Sequence, residues 1–260
     1  ATLPFTGDEF AEAVANYFGV PSPTCRRLAR SGAALSGIPF DVYGRVPLTD
    51  RRLLNLAGAR TRTWHTPVVL RLAQLCRQAG LVHEVEPCRR VLSSLTPAES
   101  ATFSRLDPRA RKVTPDLAIA LPGSPAAPSG VVYYDVKTLA WSPGIYPAAR
   151  CRPDALPAVD ERASRVPAEY AAAARRVDAE LGHAAGAGPV SVCVRDLRVR
   201  GLVVGNFGEF SRDFSRVLLP SLVRAVCART WAAAGARSPA EALPAVTTRL
   251  RRALALVAAR

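Results

Sequence analysis

Asp116, Asp135 and Lys137 are the residues whose types and spacing could do chemistry. Asp135 and Lys137 lie two apart in an apolar run, and residues two apart on an extended strand point to one face, so a carboxylate and an ammonium emerge side by side. Asp116 opens the preceding apolar run behind Pro115, and it joins them if the two runs pair antiparallel. Two carboxylates suit a hard divalent cation, Mg²⁺ or Mn²⁺, which keeps several waters and takes phosphate oxygens in its remaining positions. A cation held there polarises a phosphate and acidifies a water, while the lysine orients that water or neutralises developing charge. The chemistry of this kit is metal-assisted hydrolysis of a phosphodiester. The plain alternative is a strand-end ion pair on a solvated face.

The identity of the amine sharpens the choice. Of 35 basic residues only two, Lys112 and Lys137, are lysines, in a chain rich in Arg, Ala and Pro. That bias turns lysine into arginine wherever arginine will serve. Arginine stays protonated and handles protons poorly, so a lysine beside Asp135 has a chemical reason to persist.

Composition sets the partners. Thirty-five basic against 21 acidic residues give a net charge of +14 and a pI near 10.5, a field that attracts polyanions. DNA is the first partner expected, RNA the second. An anionic membrane surface stands behind both. No apolar stretch approaches the roughly 18 to 20 residues of a membrane helix, and residues 1–17 carry acids and no basic region of a signal peptide. With no methionine, even at position 1, the chain reads as a segment of a longer product. Cys25, Cys76, Cys88, Cys151, Cys193 and Cys227 contain no C-x-x-C pair, so a zinc module is not expected. They read as reduced and mostly buried in an intracellular protein.

The elements that must position the acids follow from periodicity. Thr6 and Glu9 stand in a capping-box relation before a helical run, Pro21 and Pro23 interrupt it, a short amphipathic piece covers 25–29, and 31–37 is a loop. Residues 38–60, with Asp41, Tyr43 and Gly44, show no strong period. Val68, Leu72, Leu75 and Ala79 form one stripe of a helix over 65–80 closed by Gly80. A strand follows over 81–86, and Thr96, Pro97 and Glu99 start a helix reaching about 106. Strands are predicted over 116–121 and 131–139, joined by the slack loop 122–130 as a hairpin. After a proline-rich stretch over 141–157, a long helix carries Ala163, Val166, Tyr170, Ala173, Val177 and Leu181, with Pro167 kinking or starting it. Two strands are predicted over 190–194 and 199–204 after the glycine-rich loop 182–188. Helices over 211–231 and from 239 onward, the latter capped by Ser238 and Glu241, complete the chain. The expected fold is α/β, a mixed central sheet flanked by helices: an N-terminal helical extension over 1–60, a core over 61–210 and C-terminal helices over 211–260.

Other residues carry two readings each. His65 is a metal or water partner, or a polar residue at a helix start. Glu86 is an auxiliary metal ligand, with Glu84 a weaker one on the same face. Arg162, Arg165, Arg175 and Arg176 contact phosphates from the helix that borders the site, or form a solvated face. His83 and His183 read as surface residues and Tyr170 as core. The Gly205-Asn206-Phe207-Gly208 turn lacks the lysine pattern of a phosphate loop and reads as a strand-to-helix turn.

The run 65–80, then Glu84-Val85-Glu86, then Thr114-Pro115-Asp116-Leu117-Ala118-Ile119, then Tyr134-Asp135-Val136-Lys137-Thr138, resembles the PD-(D/E)XK, restriction-endonuclease-like superfamily. It is more narrowly similar to nuclease-like regions adjoining reverse transcriptases in retroelements. Phe40-Asp41-Val42-Tyr43-Gly44 upstream and Phe207-Gly208-Glu209-Phe210-Ser211 downstream extend the resemblance over roughly positions 10 to 235. The resemblance implies a Mg²⁺- or Mn²⁺-dependent nuclease acting on DNA in a mobile element, with a nuclear location. Asp116 and Asp135 would be the metal carboxylates and Lys137 the catalytic amine. The alternative is a catalytically inactive nucleic-acid-binding domain of the same fold. Many members add a Glu on the first core helix, whereas 65–80 holds no acid; His65 or Glu86 substitutes, or two carboxylates suffice.

Overall fold

The structure is a computed structural model that describes residues 7, 11, 14, 15, 20–35, 37–42, 65–106, 112–121, 130–139, 157–184, 186–205, 209–233 and 235–258. The Thr6/Glu9 box, residues 43–60, the loop 122–129, the stretch 141–156 with Cys151, and positions 206–208 of the glycine turn lie outside them.

Helix α1 (Pro23–Arg30) starts where Ser22 accepts the Cys25 amide at 3.0 Å, and Pro23 takes the first-turn position that tolerates a missing N–H. The segment read as a loop contains a two-residue antiparallel ladder, β1 (Ala34–Leu35) with β2 (Ile38–Pro39). Helix α2 (Thr66–Ala79) ends at Gly80, φ 68°, with the Gly80 amide on Arg77 O and the Leu81 amide on Cys76 O, the paired bonds of a Schellman motif. The strand β3 is shorter than expected, His83–Val85, because Glu86 takes a left-handed φ of 48° and a five-residue helix, α3 (Cys88–Leu92), begins at once. Helix α4 (Pro97–Arg105) carries both halves of the Thr96/Glu99 capping box.

The sheet that matters has four strands in the order β3, β4 (Leu117–Ala120), β5 (Val131–Thr138), β6 (Arg200–Val204). The first three are antiparallel neighbours and β6 is parallel to β5. The parallel step needs a crossover, supplied by α5 (Ala158–Glu180) and α6 (Pro189–Leu197). Pro167 lies inside α5 and does not end it. Residues 190–194, expected as a strand, are helical. Val190 and Val194 are buried while Val192 is 37% exposed, the i, i+4 pattern of a helix face. Asp178 on α5 caps this helix from outside its own sequence, accepting the Val190 amide at 3.0 Å and the Ser191 amide at 2.9 Å.

A π-helical turn, Phe214–Leu218, leads into α7 (Leu219–Thr230), and α8 (Pro239–Ala258) follows. Leu117, Ile119, Val132, Tyr134, Val136 and Leu202 face α2, α7 and α8 through Leu72, Leu75, Leu222 and Leu254, the larger core. Ala118 and Tyr133 face the other way, against Val166, Tyr170, Ala173, Val190 and Val194 of α5 and α6. Leu139, Val203, Ala158 and Val159 close a third cluster at the start of α5. The C-terminal helices are therefore part of the main core. Gly201 marks a close approach of α5 to the sheet, since a Cβ there would sit 2.6 Å from Ala163 Cα and O. Among the described cysteines only Cys76 and Cys227 are buried; Cys25 and Cys193 are half-buried and Cys88 is exposed, which corrects the expectation that most are core.

Candidate active site

The hairpin register brings the acids together. Leu117 pairs with Tyr134, so one step further Asp116 stands opposite Asp135, and the Asp116 amide donates to Tyr134 O at 2.9 Å. Residues opposite one another in an antiparallel pair share a face. Leu117, Tyr134 and Val136 belong to the α2 side, so Asp116, Asp135 and Lys137 take the α5 side.

Asp116 is held by two contacts on one oxygen. Its Oδ2 accepts the Val136 amide at 2.6 Å and lies 3.0 Å from His65 Nε2 at the start of α2. Its Oδ1 takes no hydrogen bond from any described residue. Burial alone would raise this carboxyl, but the hydrogen bond and charge of His65, the charge of Lys137 and the Val136 amide outweigh it, and Asp116 lies below the ordinary carboxylate range.

Asp135 is the deeper acid, its side chain 1% exposed. Oδ1 accepts the Tyr170 hydroxyl at 3.1 Å, and the same hydroxyl lies 2.9 Å from Thr114 O. Oδ2 is sealed from solvent and forms an ion pair with Lys137 Nζ, with no donor in hydrogen-bond alignment. Burial raises the Asp135 carboxyl beyond what Lys137 returns, and the charge of Asp116 pushes the same way. Burial lowers Lys137 more than Asp135 restores it, and Lys112 adds a like charge. Both lysines of the chain therefore act on one acid pair.

The other expected residues divide. His65 joins the site through Asp116. Glu86 is exposed, and its backbone amide donates to Asp116 O at 3.0 Å. Among the described residues no three His, Cys, Asp or Glu side chains are grouped so as to hold a metal ion, so neither Glu86 nor His65 completes a three-ligand set with the two aspartates. Arg162 is held by Glu169 in a two-pronged pair, 2.8 and 3.0 Å, and Arg165 by Glu161. Arg175 and Arg176 are exposed and have no ion-pair partner among the described residues. His183 is tied to Glu99 at 2.5 Å. Two residues were missed. Tyr170 is core by burial, yet a buried phenol needs a hydrogen-bond partner, and that need was the available signal. Lys112 carried the same scarcity signal as Lys137.

The donor set is hard oxygen on two ionisable carboxylates, with Asp116 Oδ1 uncommitted and Asp135 Oδ2 held by Lys137, chemistry that suits a small divalent cation that keeps most of its waters. No helix among the described residues is long and apolar enough to cross a membrane. No family model, no curated protein and no solved structure matches the chain.

Proposed function

We propose that the chain is a nuclease-like domain of PD-(D/E)XK, restriction-endonuclease-like type, a metal-dependent hydrolase of phosphodiester bonds in DNA within a mobile element. The observation that carries this reading is the register that sets Asp116 opposite Asp135 with Lys137 two residues along on the same face. The net charge of +14 supports a polyanionic substrate.

Asp116 and Asp135 would hold Mg²⁺ or Mn²⁺, which when bound supplies Lewis-acid polarisation of the phosphate and a more acidic water. Asp116 stays ionised because His65 and the Val136 amide hold its charge. Tyr170 fixes the rotamer of Asp135 from the opposite side. The Lys137 ammonium, whose pKa burial lowers, orients the attacking water or meets the charge growing on the phosphate.

A second reading is favoured by a specific observation. With no grouped third ligand and Lys137 closed onto Asp135, the domain could bind nucleic acid without cutting it. Cleavage of plasmid and branched DNA with Mg²⁺ or Mn²⁺ decides between them. The nuclease reading expects cutting by the wild type that is lost in Asp116→Ala and Lys137→Ala. DNA binding without cutting under either metal overturns it in favour of the silent domain.

A further inference from the structure

A cavity of about 490 Å³ opens between α5, α6 and the start of β6. Its walls are Tyr170 and Ala171 of α5, Val194 of α6 and Val199 just before β6, so its floor is apolar. Its rim is cationic. Arg175, Arg195 and Arg198 line it, and no carboxylate does among the described residues. Arg175 and Arg198 have no ion-pair partner among those residues, and Arg195 has only a loose 3.9 Å contact with Asp196. Arg200 also contributes to the wall, but its guanidinium is engaged by Asp213 at 2.8 Å.

Asp178 accepts the Val190 and Ser191 amides and does not line the cavity. Arg198 is the C-cap of α6, where a left-handed residue, φ 48° and ψ 51°, ends the helix at the edge of the cavity.

We propose that this cavity seats one unpaired nucleotide, its heteroaromatic base against the apolar floor and its phosphate on Arg175 and Arg198. The volume lies in the range of roughly 300–1,000 Å³ that encloses ligands of this size. Apolar walls with arginines at the mouth match an apolar base face and a phosphate that arginine grips through two parallel donors. The site also touches the acid pair: Tyr170 is a wall of the cavity and donates its hydroxyl to Asp135. A strand held here by one nucleotide would have its backbone led toward Asp116 and Asp135. This inference rests on the nucleic-acid part of the proposed function and not on catalysis.

The test is binding in EDTA, where no strand is cut. Deoxyadenosine 5′-monophosphate should bind directly and displace a fluorescein-labelled single-stranded DNA dodecamer, with inorganic phosphate and deoxyadenosine each at least ten-fold weaker. Ala171→Phe, which fills the cavity and keeps every charge, and the double variant Arg175→Ala/Arg198→Gly should each weaken the mononucleotide at least ten-fold. Arg224→Ala, an exposed arginine on α7, should leave it unchanged. Inorganic phosphate competing as well as the mononucleotide, or Ala171→Phe binding it as the wild type does, overturns the proposal. A mononucleotide that binds but fails to displace the dodecamer overturns the strand-holding role. If these results hold while Mg²⁺-dependent cleavage is absent, the nuclease reading falls and the pocket stands; cleavage with no mononucleotide binding gives the reverse.

Discussion

The ion pair between Lys137 and Asp135 is nearly dry, with side chains 15% and 1% exposed. Removing one partner of such a pair leaves the other charge stranded at a cost of about 3–5 kcal/mol, so Lys137→Ala should lose stability as well as any activity. Lys137→Arg separates the two effects. It keeps the opposing charge and should melt within about 2 kcal/mol of the wild type, yet cut DNA ~100-fold or more slowly, since a guanidinium cannot release its proton. Urea melts read against plasmid cleavage check this, and equal cleavage by the arginine variant would remove the proton-handling role. Glu99 offers a pH test away from the site. The Thr96 hydroxyl, the Thr96 amide and His183 bring its carboxyl from 4.5 down to about 2. A depressed carboxylate contributes stability that is complete above its unfolded value and fades as pH falls from there through about 2. Carbon NMR of the Glu99 carboxyl should follow that curve, and Thr96→Ala should move its midpoint upward. At this scale the sequence was informative where alternation exposed a pattern: Asp135 and Lys137 share a face because they are two apart. Tyr170 was hidden because a phenol on an apolar stripe looks like packing until its partner, 35 residues earlier, is known.

Among the elements, α5 and β6 meet closely at one glycine. At Gly201 an added methyl would strike Ala163 backbone atoms, which cannot swing aside like a side chain. Gly201→Ala should cost about 3 kcal/mol and force α5 outward, loosening the Tyr170 bond to Asp135. A urea midpoint unchanged from the wild type would show that the helix moves freely there. The misread of 190–194 as a strand has a physical source. Val190, Val192 and Val194 alternate like a strand and are β-branched, and nothing local offers a side chain to cap the helix. The cap is Asp178, twelve residues back on another helix, and propensity does not register a partner supplied by tertiary structure. The helix α3 escaped for a different reason: five residues are too few to show a period. By contrast α2, α4 and α8 could be read because glycine, proline and capping residues stand at their own ends.

Over the whole molecule, one sheet separates two helical layers, and the acid pair sits on the side of α5 and α6. That layout put the C-terminal helices in the larger core, with Ala242, Val246, Leu250 and Leu254 of α8 packed beside α7 and α2, which no local pattern in the last fifty residues reveals. The fold class was legible because strand and helix periods alternate along the chain; how the C-terminal segments pack was not, because packing is set by distant partners. The surplus of positive charge belongs to this scale as well. If several arginines neutralise phosphates together, DNA affinity should fall about 10³–10⁵-fold between 50 and 200 mM salt for six to ten such contacts. A flat salt titration would remove nucleic acid as the partner. Pro167 adds a last consequence. Having no amide hydrogen, it cannot serve the carbonyl four residues back, which is Ala163 O, the atom that Gly201 approaches. The turn of α5 that lacks this bond is therefore the one pressed against β6, so packing on Gly201 stands in for the missing backbone link.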